Sequence, residues 1–189
     1  MVAVAKIDRK EQILLTALEL IATRGYGKLT MRELARASGL KLGALQYHFP
    51  TWEALLRALA GYVSAEYTTS LETLEREVTA LSVSDLLRWY LQDSGGQNLR
   101  SDLLWPQLWA MARVEPVMRD SLDEIFAKVV ACFEDHLARA GSPAARMETL
   151  ALLSFGEGSL LFTGPGSPWE ADGEGLVDAI LAFAEARYG

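Results

Sequence analysis

Along nearly the whole of this 189-residue chain, apolar residues recur every three to four positions, and most runs are opened by a capping residue and closed by glycine. That period belongs to one face of an α-helix and not to a strand. Between Asp8 and Gly25, Leu14, Ala17, Leu18 and Ile21 fall at i, i+3, i+4 and i+7, and Gly25 with Gly27 ends the run. Thr30-Met31-Arg32-Glu33 has the spacing of a capping box, in which the threonine oxygen takes an orphan amide and the glutamate reaches back. A second helix therefore starts there, and Gly39 stops it. A third, short helix is predicted over Leu42 to His48. Pro50-Thr51 then gives a break and an N-cap for a long fourth helix reaching about Leu81.

The same reading continues to the end. Ser82 and Ser84 open a helix bearing Leu86, Leu87, Trp89, Tyr90 and Leu91, which Gly95-Gly96 ends. Helices follow over Asn98 to Arg113 and Val117 to Ala140, the second closed by Gly141. Ser142-Pro143 reads as N-cap plus first-turn proline, opening a helix to about Thr163. Residues 164–173 (GPGSPWEADG) read as a loop, and a last helix spans Glu174 to Tyr188. With neither alternating strands nor internal repeats, the fold class is all-α, with about nine helices.

Half of the residues are hydrophobic, ample for a buried core. The apolar runs fall well short of the roughly 18 residues of a membrane span, and the start, MVAVAKIDRK, lacks the apolar core of a secretory signal. A cytoplasmic chain, with no membrane partner, is expected. Cys132 is the one cysteine, and with only His48 and His136 there is no cluster of metal-site spacing, so neither an internal disulfide, a structural metal nor a cofactor is expected. The net charge of −7 hides a division: nine bases stand against five acids through Ala60, and nine against twenty beyond it. A basic head on an acidic body suits a chain that holds a polyanion at one end.

Two short helices joined at Gly39 form a helix-turn-helix, whose second helix has the size to lie in the major groove of DNA. A packed helical hairpin satisfies the same spacing. A helix of about seven residues buries too little to exist for its own stability. One carrying Lys41, Gln46, Tyr47 and His48 therefore presents them to a partner.

The segment LTMRELARASGLKLGALQYHFPTWEALL, Leu29 to Leu56, resembles the DNA-binding signature of the tetracycline-repressor (TetR) family of regulators. Thr30, Ala35, Gly39, Gly43, Leu45, Tyr47, Phe49 and Glu53 match it, and LLTALELIATRGYGKLT, Leu14 to Thr30, resembles the family's first helix. The resemblance covers roughly Asp8 to Leu59. It implies an N-terminal three-helix DNA-binding domain, residues 1–50, followed by a helical ligand-binding and dimerisation domain, residues 51–189. The expected DNA-facing residues are Thr30, Lys41, Leu42, Ala44, Gln46, Tyr47, His48 and Trp52. Lys41 stands where a serine or threonine commonly caps the recognition helix, which exchanges a cap of about 1 kcal/mol for a cation near phosphate. Leu42 replaces a common lysine. Gln46, where tyrosine is frequent, has the groups to pair bidentately with adenine or to meet a phosphate. Tyr47 is either a phosphate donor or core, and His48 either a DNA donor or a structural hydrogen-bonder. Trp52 replaces the lysine that clamps a phosphate, so the clamp is missing unless the indole N–H and the helix N-terminus supply it. Thr30 caps its helix and contacts a phosphate, while Leu45 and Phe49 are core.

The stretch from Trp89 to Phe162 is rich in aromatic residues, most of them core. The resemblance implies a ligand cavity in this part, and pockets between helices are lined by such residues plus a few polar anchors. Trp89, Trp105, Trp109, Phe126 and Phe155 are the expected walls, with Gln107, Arg113 and Glu157 as polar contacts to a small-molecule effector. Gly156 and Gly158 flank Glu157 and permit close approach of either a ligand or another helix. The resemblance also implies a homodimer through the last two helices, so that two heads about one helical turn apart read a palindromic operator in double-stranded DNA. Repression relieved by a largely apolar effector follows from it. No nucleophile–base pair, Gly-rich phosphate loop or His/carboxylate metal constellation suggests an enzyme. A ligand- or partner-binding module that has lost operator binding is the other reading, for which Leu42 and Trp52 speak.

Overall fold

The computed structural model describes residues 8–92, 99 and 103–188. Among them are nine α-helices and two single 3₁₀ turns, and no strand. In chain order the helices are α1 (Arg9–Arg24), α2 (Met31–Ala37), α3 (Leu42–His48), α4 (Trp52–Glu77), α5 (Val83–Gln92), α6 (Leu104–Ala112), α7 (Pro116–Arg139), α8 (Ala145–Thr163) and α9 (Gly173–Tyr188). The 3₁₀ turns are Tyr26–Lys28 and Glu170–Asp172. The all-α expectation holds. The expected helix end at Gly95-Gly96 and start at Asn98 lie outside the described residues, as does the MVAVAKI start.

Two compact units make up the fold. The first contains residues 8–63 and 103–120. In it α1 buries Ile13, Leu14, Ala17, Leu18, Leu20 and Ile21, the inner stripe that the 3.6-residue period predicts. This helix packs on α2 and on α6. The Thr30 Oγ accepts the Glu33 N–H at 3.1 Å, capping α2. The return half of the expected capping box is replaced: the Glu33 carboxylate takes the guanidinium groups of Arg24 at 2.6 Å and Arg36 at 2.5 Å. Two charge-assisted bonds outcompete one neutral amide for the same oxygens.

The second unit contains residues 64–92, 99 and 121–188 of the described chain. Its core comprises Leu86, Leu87, Trp89 and Tyr90 of α5, Leu122, Ile125, Val129, Phe133 and Leu137 of α7, Leu152 and Leu153 of α8, and Ile180, Leu181 and Ala184 of α9. Ser82 and Asp85 form a full reciprocal cap at the start of α5, with N–H to oxygen distances of 3.0 and 3.1 Å. Ser142 caps less directly than expected. Its Oγ accepts the Ala144 N–H at 3.2 Å and donates to Glu148 at 2.6 Å, and α8 begins at Ala145 instead of Pro143.

Candidate nucleic-acid interface

The turn between α2 and α3 is built by Gly39, whose φ of 65° is the left-handed conformation that glycine adopts without a Cβ penalty. The Leu40 N–H donates to the Ala35 carbonyl at 2.8 Å and the Gly39 N–H to the Arg36 carbonyl at 3.2 Å, the paired bonds of a Schellman ending. Arg9 reaches across from the start of α1, donating to the Ser38 carbonyl at 2.9 Å. The turn is therefore fixed from both sides.

The helix that follows has only seven residues and is held by Leu45, fully buried, and by Phe49 just beyond its end. The opposite side carries Lys41, Gly43, Ala44, Gln46 and Tyr47, all exposed. Tyr47 is 85% exposed, which removes it from the core. His48 is half-buried with its ring edge-on to Tyr47, centroids 5.5 Å apart. Leu42 is half-buried on the inner side. Lys41 makes no side-chain cap and is exposed. Thr51 caps α4 by accepting the Ala54 N–H at 3.1 Å.

Trp52 does not join the outward group. Its ring leans on Tyr26, centroids 6.4 Å apart at 32°. The Tyr26 hydroxyl donates to the Glu115 carboxylate, and burial together with that carboxylate pushes its ionisation well above the ordinary phenol range, while a weaker contact from the Trp52 indole opposes the shift. Glu33 is shifted the other way: its hydrogen bond and charge contact with Arg36, aided by Arg24, hold its carboxyl below the usual range. Lys28, Arg32, Arg36 and Lys41 are among the exposed charges here, Arg36 being paired with Glu33.

The eight expected effector contacts are divided between the two units. Trp105, Gln107, Trp109 and Arg113 belong to the first. There Gln107 Oε1 accepts the Tyr26 backbone N–H at 3.3 Å, Trp105 and Trp109 are half-buried, and Arg113 is exposed. Trp89, Phe126, Phe155 and Glu157 belong to the second. Trp89 is buried, donating its indole N–H to Ser70 Oγ at 2.9 Å and standing edge-on to Tyr67. Phe126 is half-buried. Phe155 is exposed on the outer side of α8, edge-on to Phe183 at 6.0 Å. Glu157 accepts the Tyr90 hydroxyl at 2.6 Å. Burial first, then the Glu157 charge, raises the Tyr90 pKa far above that of a free phenol. Gly156 is explained by helix packing, since a Cβ there would run into the Tyr90 ring. A cleft of about 460 Å³ in this unit is lined by Leu91, Ser159, Thr163, Glu174 and Val177 among others, and by none of the expected walls.

Tyr26 and Glu115, which hold the turn before α2, carry no sequence signal, because nothing local pairs residues 89 positions apart.

Residues 13–59, which contain most of α1 together with α2, the turn and α3, match the bacterial regulatory proteins of the tetR family. That N-terminal segment, about a quarter of the chain, is similar to the DNA-binding part of the tetR family. The family is one of DNA-binding transcription regulators and not of enzymes. Among curated relatives, the HTH-type transcriptional regulator YerO of Bacillus subtilis is 27% identical over 81 residues, 43% of this chain and 28% of that protein. A second B. subtilis regulator of the same type, YuxN, is 34% identical over 55 residues, 29% of this chain and 19% of that one. The match thus spans less than a third of the length of either relative. Solved structures share the fold along nearly all of the chain. A TetR transcriptional regulator from Legionella pneumophila superposes with a TM-score of 0.76 at 18% identity, covering 98% of this chain and 100% of its own. A protein from Saccharomonospora viridis, solved in complex with choline, gives 0.76 at 20% identity, with 94% and 96% covered.

Proposed function

We propose that this chain is a DNA-binding transcription regulator of the tetR type that reads a palindromic operator as a homodimer and is released by a small molecule. The observation that carries the reading is α3, a seven-residue helix pinned by Leu45 while Gln46 and Tyr47 face outward. In this account Gln46 reads adenine, Tyr47 and Lys41 meet phosphates, Ala44 meets a thymine methyl or sugar, and Thr30 adds a phosphate contact at the edge of its cap. His48 orients Tyr47. Residues 1–50 carry the reading helices, and 51–189 the effector and dimer functions.

For the homodimer, the support is the outer face of α8 and α9. Met147, Leu150, Phe155, Leu161, Phe162 and Phe183 are exposed there, and Leu161 is 78% so. Large apolar groups on one face in this number mark a covered surface. Pairing that face about a two-fold axis gives a self-complementary interface. The effector response rests on the fold, whose S. viridis relative holds choline. Among the described residues no helix is long and apolar enough to cross a membrane, and the site of action in this account is the cytoplasm.

Selection of bound fragments from a genomic library tests the reading. The expected result is one enriched two-fold-symmetric sequence whose half-sites lie about 10 bp apart. Recovery of unenriched background favours the module that has lost operator binding, a reading supported by Trp52 being turned inward onto Tyr26.

A further inference from the structure

Tyr26 sits at a junction of the first unit. It lies four residues before Thr30, the cap of α2, and its ring touches Trp52, which lies four residues beyond His48, the end of α3. Both helices of the helix-turn-helix are thus tied to one side chain within about a turn of chain. Tyr26 is in turn gripped, main chain and side chain, by residues from the 103–120 segment. Gln107 of α6 accepts its backbone N–H at 3.3 Å, and Glu115, at the corner between α6 and α7, accepts its hydroxyl. Glu115 directly precedes Pro116, the first residue of α7. Gly25, with φ of 82°, starts the turn, and a Cβ there would stand 3.4 Å from Gln107 Oε1.

We propose that Tyr26, gripped by Glu115 and Gln107, is a positioning residue for operator recognition: it sets the attitude of α2 and of the α3–α4 corner against α6. The inference rests on the operator-binding reading above. It assigns Trp52 an internal role, as the ring through which Tyr26 holds the start of α4, in place of a contact to phosphate. Base contacts demand that α3 be held at a fixed angle, whereas phosphate contacts tolerate displacement. Loss of the grip therefore reduces specific binding more than non-specific binding. A head that is merely less stable loses both in proportion, through a smaller folded fraction.

The test uses full-length protein, the selected operator duplex and a scrambled duplex of equal length, at one salt concentration. For Tyr26→Phe and Glu115→Ala the ratio of the two affinities is expected to fall about tenfold each. The double variant should fall little further, and Glu115→Gln, which keeps an acceptor, should remain near wild type. Gln107→Ala, which leaves the hydroxyl contact intact, gives a smaller fall and serves if the others do not fold. An unchanged ratio in Tyr26→Phe and Gln107→Ala, or additive losses in the double variant, overturns the proposal while leaving operator binding standing. A wild type with equal affinity for both duplexes overturns the operator reading itself.

Discussion

Cys132 illustrates how strongly surroundings decide the chemistry of one residue. Burial and the nearby Glu75 carboxylate push its thiol up to about 12, so it is protonated at neutral pH and a poor nucleophile. Alkylation by iodoacetamide at pH 8 is expected to be slow in the folded protein and to accelerate in denaturant, as mass spectrometry would show. Fast labelling of the native chain would contradict that environment. The two glycines of α8 make a matched pair. Gly156 abuts the Tyr90 ring, whereas a Cβ on Gly158 would meet nothing within 4 Å. Gly156→Ala should cost about 1–3 kcal/mol by overpacking. Gly158→Ala should be neutral or stabilising by up to about 1 kcal/mol. Denaturant titration of the two variants separates them.

At the level of the element, α8 and α9 are clasped at one end by Glu148. It accepts from the Ser142 hydroxyl at 2.6 Å, the Tyr188 hydroxyl at 2.9 Å and the Arg187 guanidinium. The Ser142 and Arg187 hydrogen bonds hold its carboxyl down to about 2 from an ordinary 4.5. A depressed carboxylate contributes stability that is complete above the ordinary value and is lost as pH falls from about 4.5 towards 2. Stability measured across that window should decline less steeply in Glu148→Gln than in wild type, and parallel curves would exclude the clasp. Helix existence and type were legible wherever the signal was local: the Thr30 cap, the Gly39 stop, the Leu45 and Phe49 anchors, and the Ser82 start. Contacts across long sequence separations were not. Neither the preference of Glu33 for Arg24 nor the use of Gln107 to hold Tyr26 follows from any spacing. Phe155 shows a further limit, since an aromatic residue on a helix reads equally as cavity wall or outer face until its neighbours are known. In α8 it shares the exposed side with Leu161 and Phe162.

At the scale of the whole molecule, one chain carries a net-basic N-terminal third, an acidic remainder and an exposed apolar face on α8 and α9. If that face pairs two copies, Leu161→Glu, a change at a side chain 78% exposed in the single chain, should leave folding intact and shift sedimentation from dimer to monomer. Operator affinity should fall with it, because one head meets only one half-site. A variant that stays dimeric would place the interface elsewhere. The central claim is that the outward side of α3 reads DNA. It is tested most directly by titrating wild type and the Gln46→Ala/Tyr47→Ala variant against the selected operator across a salt series. The expected result is a wild-type affinity that falls steeply with salt, and a variant that is folded, loses preference for the operator over a scrambled duplex, and shows a shallower salt slope. Identical curves for the two proteins would contradict it.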